Sequence, residues 1–351
     1  MSSDWPWADE FDARGTYLNS ATMGLPPRAT VEALGRAVEE WRRGTAHAPG
    51  YDADVAALRA SFARLVHVPV ATVATGSQAS SLVALVAAAV PDGSTVLVPE
   101  GEFTSVTFPF LAQSARGVRV REVPLDELAE HVDGSTGLVA LAAVQSSDGR
   151  VAPLDAVEAA CRAHGVEVLV DLTQAAGWLD VDAGRFAFTV CAAYKWLLSP
   201  RGTAFLTVRE DLWGSLVPLA AGWYAGDDPW TSIYGLPLRL APDARRFDTS
   251  PAWHAWVGAA TSLAFLESVG VPALEEHALE AEAQFARAAG VEPVGRAIRS
   301  LGADASAPGL LAAHDVVAAE RAGRLRVSFH VSTTVEEAVA AGRVLRGHVT
   351  A

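Results

Sequence analysis

Lysine is almost absent from this sequence. Of 27 cationic side chains one is a lysine, Lys195, and the other 26 are arginines. In an alanine-, arginine- and glycine-rich chain, arginine replaces lysine wherever any cation will serve. A guanidinium stays protonated, whereas an ammonium can lose its proton and attack a carbonyl. The retained lysine is therefore either a nucleophile or a leftover surface charge, and its neighbourhood has to separate the two. Cysteine is nearly as scarce: Cys161 and Cys191 alone build neither a disulfide framework nor a cysteine zinc site. Positive charge is outweighed, with a formal net charge of −14. This argues against a nucleic-acid partner, because a phosphate backbone must be met by clustered cations. Long hydrophobic runs are missing too. The longest, Ser81 to Val90, stops at Pro91-Asp92-Gly93, short of the roughly 18 residues that span a bilayer. Met1 to Tyr17 is acidic and carries no basic stretch followed by an apolar one. The expectation is a cytoplasmic protein with no membrane partner.

What is present is alternation. Short β-branched segments at Val70–Ala74, Thr95–Val98, Arg119–Val123, Gly137–Val144, Glu167–Asp171, Phe188–Ala192 and Ala204–Val208 alternate with helical stretches. The latter include Gln78–Val90, Ser105–Ala115 and Asp155–Gly165. This order predicts an α/β fold with a mainly parallel sheet flanked by helices. Ligands in such sheets sit at the carboxyl ends of the strands.

Several polar residues gather at those ends. Thr75-Gly76-Ser77-Gln78-Ala79-Ser80 opens a helix, where free N–H groups suit a phosphate, although Ser and Thr also serve simply as caps. Phe103, in Pro99-Glu100-Gly101-Glu102-Phe103, is placed either to lie on an aromatic ring or to fill the core. Asp171 directly follows an apolar strand, where a carboxylate needs a partner such as a protonated ring nitrogen, unless it caps the next turn. Gln174 lies three residues on. Lys195 itself falls after a strand, beside Tyr194 and ahead of Ser199-Pro200-Arg201-Gly202. The four signals in one order point away from a chance surface lysine.

These residues resemble class V of the fold-type I pyridoxal-phosphate enzymes. That group includes class V aminotransferases, cysteine desulfurases, isopenicillin-epimerase-like proteins and kynureninases. The likeness runs from Tyr17-Leu18-Asn19-Ser20-Ala21 to Leu325-Arg326-Val327-Ser328. It is most specific in Asp171-x-x-Gln174 and Tyr194-Lys195-Trp196-Leu197-Leu198-x-Pro200-Arg201-Gly202. The resemblance implies pyridoxal 5'-phosphate as cofactor, with Lys195 as its Schiff-base lysine and Asp171 as partner of the pyridine nitrogen. It also implies Gln174 at the phenolic oxygen, Ser77, Gln78 and Tyr194 at the phosphate, and Phe103 stacked on the ring. A homodimer is implied as well, its phosphate site completed by the neighbouring subunit through Thr249, in Phe247-Asp248-Thr249-Ser250-Pro251, and through Trp223. Arg326 would bind the substrate carboxylate, and Asn19 would contact substrate.

Departures from the family pattern narrow the reading. Tyr194 and Ala192 stand where many relatives carry His and Ser, so one phosphate donor is missing. Phe103 replaces a His or Trp and cannot act as an acid or base. No cysteine lies beyond Cys191, so a desulfurase activity is not expected. Phe103, Tyr194 and Trp223 are similar to the kynureninase pattern, and Leu-Arg-Val-Ser-x-His at 325–330 to that of ergothioneine-pathway carbon–sulfur lyases. The expected activity is that of a class V aminotransferase-like enzyme, forming a Cα carbanion from a small amino acid. The alternatives are a C–S or C–C lyase, then an epimerase, then a non-catalytic cofactor-binding protein. Regulators of the last kind usually carry a DNA-binding winged helix, and no basic helix-turn-helix segment is found here. The expected division is an N-terminal segment over 1–52, a large cofactor domain with a seven-stranded sheet over 53–239, and a smaller α+β domain over 240–351. The helix Trp253–Val269 would bridge the two. The aromatic-rich stretch Pro218–Pro242 would form an active-site wall, a dimer interface or a satellite core.

Overall fold

A computed structural model describes residues 5–351. Its first eight strands are β1 (Thr16–Tyr17), β2 (Val73–Gly76), β3 (Thr95–Pro99), β4 (Arg119–Val123), β5 (Thr136–Ala142), β6 (Glu167–Asp171), β7 (Phe188–Ala192) and β8 (Ala204–Val208). β2 to β8 form a seven-stranded sheet in the order β2-β8-β7-β6-β5-β3-β4. Only β8 is reversed, running antiparallel to both β2 and β7. The mainly parallel α/β fold expected from the alternation is present.

The central strands read as continuous apolar runs because both of their faces are covered. Val96 and Val98 of β3 enter one core layer and Leu97 enters the other. The covering helices include α1 (Arg28–Arg43), α2 (Asp52–Leu65), α3 (Ala79–Ala89), α4 (Thr104–Leu111) and α5 (Leu154–His164). Two boundaries differ from the sequence pattern. Val70–Thr72 forms a 3-10 turn ahead of β2. The helix expected to reach Ala115 carries Pro109 within it and ends at Leu111; a 3-10 turn, Ser114–Arg116, follows, and Gly117, at φ +78°, turns the chain toward β4.

The rest of the chain comprises α6 (Trp253–Val269), α7 (Val271–Ala289), β9 (Ile298–Ala303), α8 (Ala307–Ala313), β10 (Val316–Val317), β11 (Ala319–Arg321), β12 (Arg324–Ser328), α9 (Val335–Val344) and β13 (Val349–Thr350). Four of these strands form an antiparallel sheet, β11-β12-β9-β13. A buried ion pair, Glu282 to Arg299 at 2.5 Å, ties α7 to β9. α6 packs against α1 and α2. The beginning of the chain lies on this C-terminal part: β1 pairs with β10, and Ser328 donates its N–H to the Leu18 carbonyl. Among the described residues no single helix is long and apolar enough to cross a membrane.

Candidate active site

The carboxyl ends of β2, β6 and β7 face one cavity of about 340 Å³. Lys195 lies three residues beyond β7, on a turn that Leu198 closes at φ +52° by donating its N–H to the Lys195 carbonyl. Gly24 presses on this turn from the N-terminal segment. A Cβ there would sit 2.0 Å from the Lys195 carbonyl oxygen, and the Gly24 N–H bonds the Tyr194 carbonyl at 2.9 Å. Glycine is thus required for the N-terminal segment to close against the lysine turn.

Lys195 is 5% exposed. Burial lowers its ammonium pKa to about 8, opposed by Asp171 and reinforced by the positive charges of Arg326 and Arg321. Its Nζ lies 5.2 Å from the centre of the Phe103 ring and 5.7 Å from that of Tyr194. Asp171 is buried, accepts the Thr173 N–H at 2.8 Å and forms no ion pair among the described residues. Burial pushes its carboxyl above the usual range. Ser77 and Gln78 line the cavity beside the N-terminus of α3, whose first amides lack a side-chain cap.

Seven of the expected residues therefore meet at one cavity: Ser77, Gln78, Phe103, Asp171, Gln174, Tyr194 and Lys195. These donors fit pyridoxal phosphate. An uncompensated buried carboxylate suits a protonated ring nitrogen, uncapped helix amides suit a phosphate, and a low-pKa amine suits an aldehyde. Ala192 also lines the cavity, its N–H held by Thr173 Oγ1 at 2.9 Å.

The remaining expected residues lie outside this cavity. Arg326 is buried, donating to the Ser146 carbonyl at 2.5 Å and to Thr22 Oγ1 at 2.7 Å. Desolvation lowers its pKa to about 10. Asn19 Oδ1 is buried with no hydrogen-bond partner among the described residues. Trp223 packs edge-on against Tyr224 and lies 5.0 Å from the Trp230 ring. Tyr224 and Trp230 in turn donate to the Asp52 carboxylate at 2.9 and 2.6 Å, tying the aromatic loop to α2. Thr249 donates its N–H to the Thr75 carbonyl at 3.2 Å, while neighbouring Asp248 pairs with buried Arg59 at 2.6 Å.

Two site residues escaped the sequence reading. Ser146 lines the cavity and accepts from both Gln174 Nε2, at 3.0 Å, and Arg326 Nη1, at 3.3 Å. Its signal was a turn-forming Gln-Ser-Ser-Asp-Gly run after β5. Glu102 is buried and accepts from the N–H groups of Phe103 and Ala142 and from Gln145 Nε2, which fixes the Phe103 loop to the end of β5. His330 packs beneath the lysine turn, stacked on Trp196 at 4.9 Å and bonded through Nε2 to the Trp196 carbonyl at 2.8 Å.

The sequence profile of aminotransferase class-V matches residues 16–289. The chain is 31% identical over 230 residues to the uncharacterized aminotransferase YcbU of Bacillus subtilis, covering 61% of this chain and 60% of that one. It is 30% identical over 261 residues to a kynureninase of Deinococcus radiodurans, covering 68% and 62%. The matches thus span about three fifths of these relatives. A probable cysteine desulfurase of Methanothermobacter thermautotrophicus is 26% identical over 206 residues, covering 54% and 49%. Similarity therefore does not separate the chain from the desulfurases. In fold, a variant of C-DES with glycine covalently linked to its PLP cofactor superposes with a TM-score of 0.85 at 22% identity, over 95% of this chain and 97% of that one. The chain belongs to the aminotransferase class-V family of pyridoxal-phosphate-dependent enzymes.

Proposed function

We propose that the chain catalyses transamination of an amino acid, with Lys195 as both the cofactor-binding amine and the carrier of the Cα proton. The observation that supports this is the single buried amine, with a pKa near 8, beside the Phe103 ring and in one cavity with Asp171. When bound, pyridoxal phosphate supplies an electron sink for the electrons of the Cα–H bond. Asp171 would hold the ring nitrogen protonated, and Ser77, Gln78, Tyr194 and the α3 amides would hold the phosphate. Phe103 would cover the ring, with Gln174 and Ser146 at its phenolic edge. Arg326 would orient the substrate through its carboxylate, with Asn19 beside it. Lys195, returned to its neutral form, takes the proton from Cα and delivers it along the same face, as a transaminase requires.

Lys195 is the one amine among the residues that line the cavity, which favours transamination over epimerisation. His330 does not supply a second base, since its Nε2 is committed to the Trp196 carbonyl and burial drops its pKa to about 4. A C–S or C–C lyase is the second reading. It draws on the kynureninase relative and on the Tyr194 hydroxyl group, which belongs to the same cavity as Lys195 and could protonate a leaving group. We place the chain outside the thiol-relay desulfurases because burial raises the pKa of both cysteines, Cys161 to about 12.

We further propose a homodimer in which Thr249 and Trp223 complete the partner's phosphate site. An exposed apolar stretch on the Trp223 loop, with Tyr234 92% and Leu236 94% exposed, supports that surface. Residues 53–239 would form the cofactor domain and 240–351 the smaller one. A single-turnover assay separates the two chemistries. Transamination releases one keto acid per site when no second carbonyl acceptor is present. Continued turnover without an acceptor, releasing thiol and ammonia for C–S cleavage or a shortened amino acid and a carbon fragment for C–C cleavage, would replace it with the lyase reading.

A further inference from the structure

Two arginines meet at one hydroxyl beside this site. Arg326 Nη2 donates to Thr22 Oγ1 at 2.7 Å, and Arg321 Nη2 donates to the same atom at 3.2 Å. The backbone forces the meeting. β11 and β12 form a tight hairpin with Ala322 at φ +50° and Gly323 at φ +73°, and the register pairs Ala319 with Arg326 and Arg321 with Arg324. Cross-strand partners share a face, and so do residues two apart. Arg321 and Arg326 therefore project from the same side of the hairpin. The Thr22 loop is itself fixed, because Ala21 donates to Ser328 Oγ at 3.0 Å and accepts from Gln174 Nε2 at 3.0 Å.

No carboxylate balances the pair. Every acceptor of the two guanidinium groups among the described residues is a hydroxyl or a backbone carbonyl, from Thr22, Ser146 and Glu320. This happens in a chain with 41 acidic residues, where most buried or clustered arginines have found one. Like charges held together by a rigid register repel unless an anion joins them. The α-carboxylate of an amino acid neutralises one of the two. Arg326 is the buried one, linked through Ser146 to the cavity, and Arg321 is exposed further along the hairpin. The second charge is thus left for another group of the same substrate.

We propose that Arg321 and Arg326 form a two-point anion site and that the substrate is an acidic amino acid, its side-chain carboxylate held by Arg321. The proposal rests on reading the cavity as an amino-acid site, with Arg326 on the α-carboxylate. The alternative is that Arg321 only braces the Thr22 loop.

The test uses the holoenzyme, with L-aspartate, L-glutamate and L-alanine as probes, for the wild type and for Arg321→Gln and Arg321→Lys. The readouts are kcat/KM and the Kd from the change in cofactor absorbance. The wild type is expected to favour an acidic probe over alanine by roughly tenfold or more, the worth of one charge-assisted pair. Arg321→Gln should lose about that factor against the acidic probe, with a much smaller change for alanine, and Arg321→Lys should restore part of it. Equal preference in the wild type, or equal losses for acidic and neutral probes in Arg321→Gln, would overturn the proposal while leaving the amino-acid site standing. If no probe of either class changes the absorbance, the amino-acid reading fails and the proposal falls with it.

Discussion

Trp196 donates its indole N–H to Gln174 Oε1 at 2.7 Å, and this bond fixes which way the glutamine amide points. With Oε1 committed, Nε2 faces the Ala21 carbonyl and Ser146 Oγ, both at 3.0 Å. The residue after the lysine thus sets the donor geometry at the end of the neighbouring strand β6, at the edge where a ring oxygen would lie. Ser146 Oγ accepts from Gln174 and Arg326, so its own proton is available to the cavity.

Trp196→Phe keeps the ring and removes the donor. Gln174 Oε1 is then left buried without its partner, at a cost of about 1–3 kcal/mol. Urea unfolding should show that loss in the midpoint, with an unchanged slope. An unchanged midpoint would mean that the amide flips at no cost and that Trp196 does not orient it.

Asp171→Asn separates binding from folding. Burial raises the Asp171 carboxyl in the protein alone, so near neutral pH its charge disfavours the folded state. The cofactor-free variant should therefore be as stable as wild type or more so. The loaded variant should lose activity by about 100-fold or more, as expected when the group holding the electron sink protonated is lost. Thermal melts with and without cofactor, together with turnover, check both halves. A cofactor-free variant that unfolds readily would assign Asp171 a structural role.

The cavity was legible in the sequence because its residues sit at strand ends. Strands β6 and β7 are mostly apolar and buried, so Asp171 at the end of β6 and Lys195 just beyond β7 stand out against them. Ser146 and Glu102 were not legible: each lies in a turn-like sequence that many surface loops share, and only the packed structure aims them inward. The arginine pair was hidden for another reason. With 26 arginines in the chain, Arg321 carries no local signal, and the hairpin register that brings it to Thr22 depends on Ala322 and Gly323. Two boundaries differ because local turns override the apolar pattern: the helix ends at Leu111 short of Ala115, and the strand starts at Val73 after the turn at Val70–Thr72.

His330 accepts the Val331 N–H at Nδ1, at 2.7 Å, so Nε2 carries the proton given to the Trp196 carbonyl. Only the neutral ring satisfies both bonds. Burial lowers its pKa from 6.5 to about 4. A histidine with a depressed folded pKa stabilises the fold fully above its unfolded value and loses that contribution as pH falls toward the folded value. Stability should therefore drop by roughly 3 kcal/mol between pH 6.5 and 4. His277, lowered in the same direction by burial, adds to the slope. His330→Gln should flatten the pH dependence of the urea midpoint; an unchanged slope would contradict the assignment.

Arg59 joins the phosphate-side loop to the segment that carries Thr249. It donates to Asp248 at 2.6 Å and to the Val73 carbonyl at 2.6 Å, while Asp248 accepts the Thr75 N–H at 2.7 Å. Arg59→Ala strands a buried carboxylate and should destabilise by about 3–5 kcal/mol. Removing both charges, with Arg59→Met and Asp248→Leu together, should cost clearly less. Denaturation of the single and double variants measures the difference, and a double variant no better than Arg59→Ala would contradict it.

The central claim is that Lys195 is the amine that bonds the cofactor, and this chain makes the test unusually clean. Lys195 is its one lysine, so the N-terminal amine is the only other primary amine available. The protein, loaded with pyridoxal phosphate, would be reduced with borohydride, digested and mapped by mass spectrometry, for wild type and Lys195→Ala. A visible absorbance band and a reduced adduct on the peptide containing Lys195 are expected in wild type, and neither in the variant. An adduct on the N-terminal peptide alone, or equal labelling of both proteins, would contradict it.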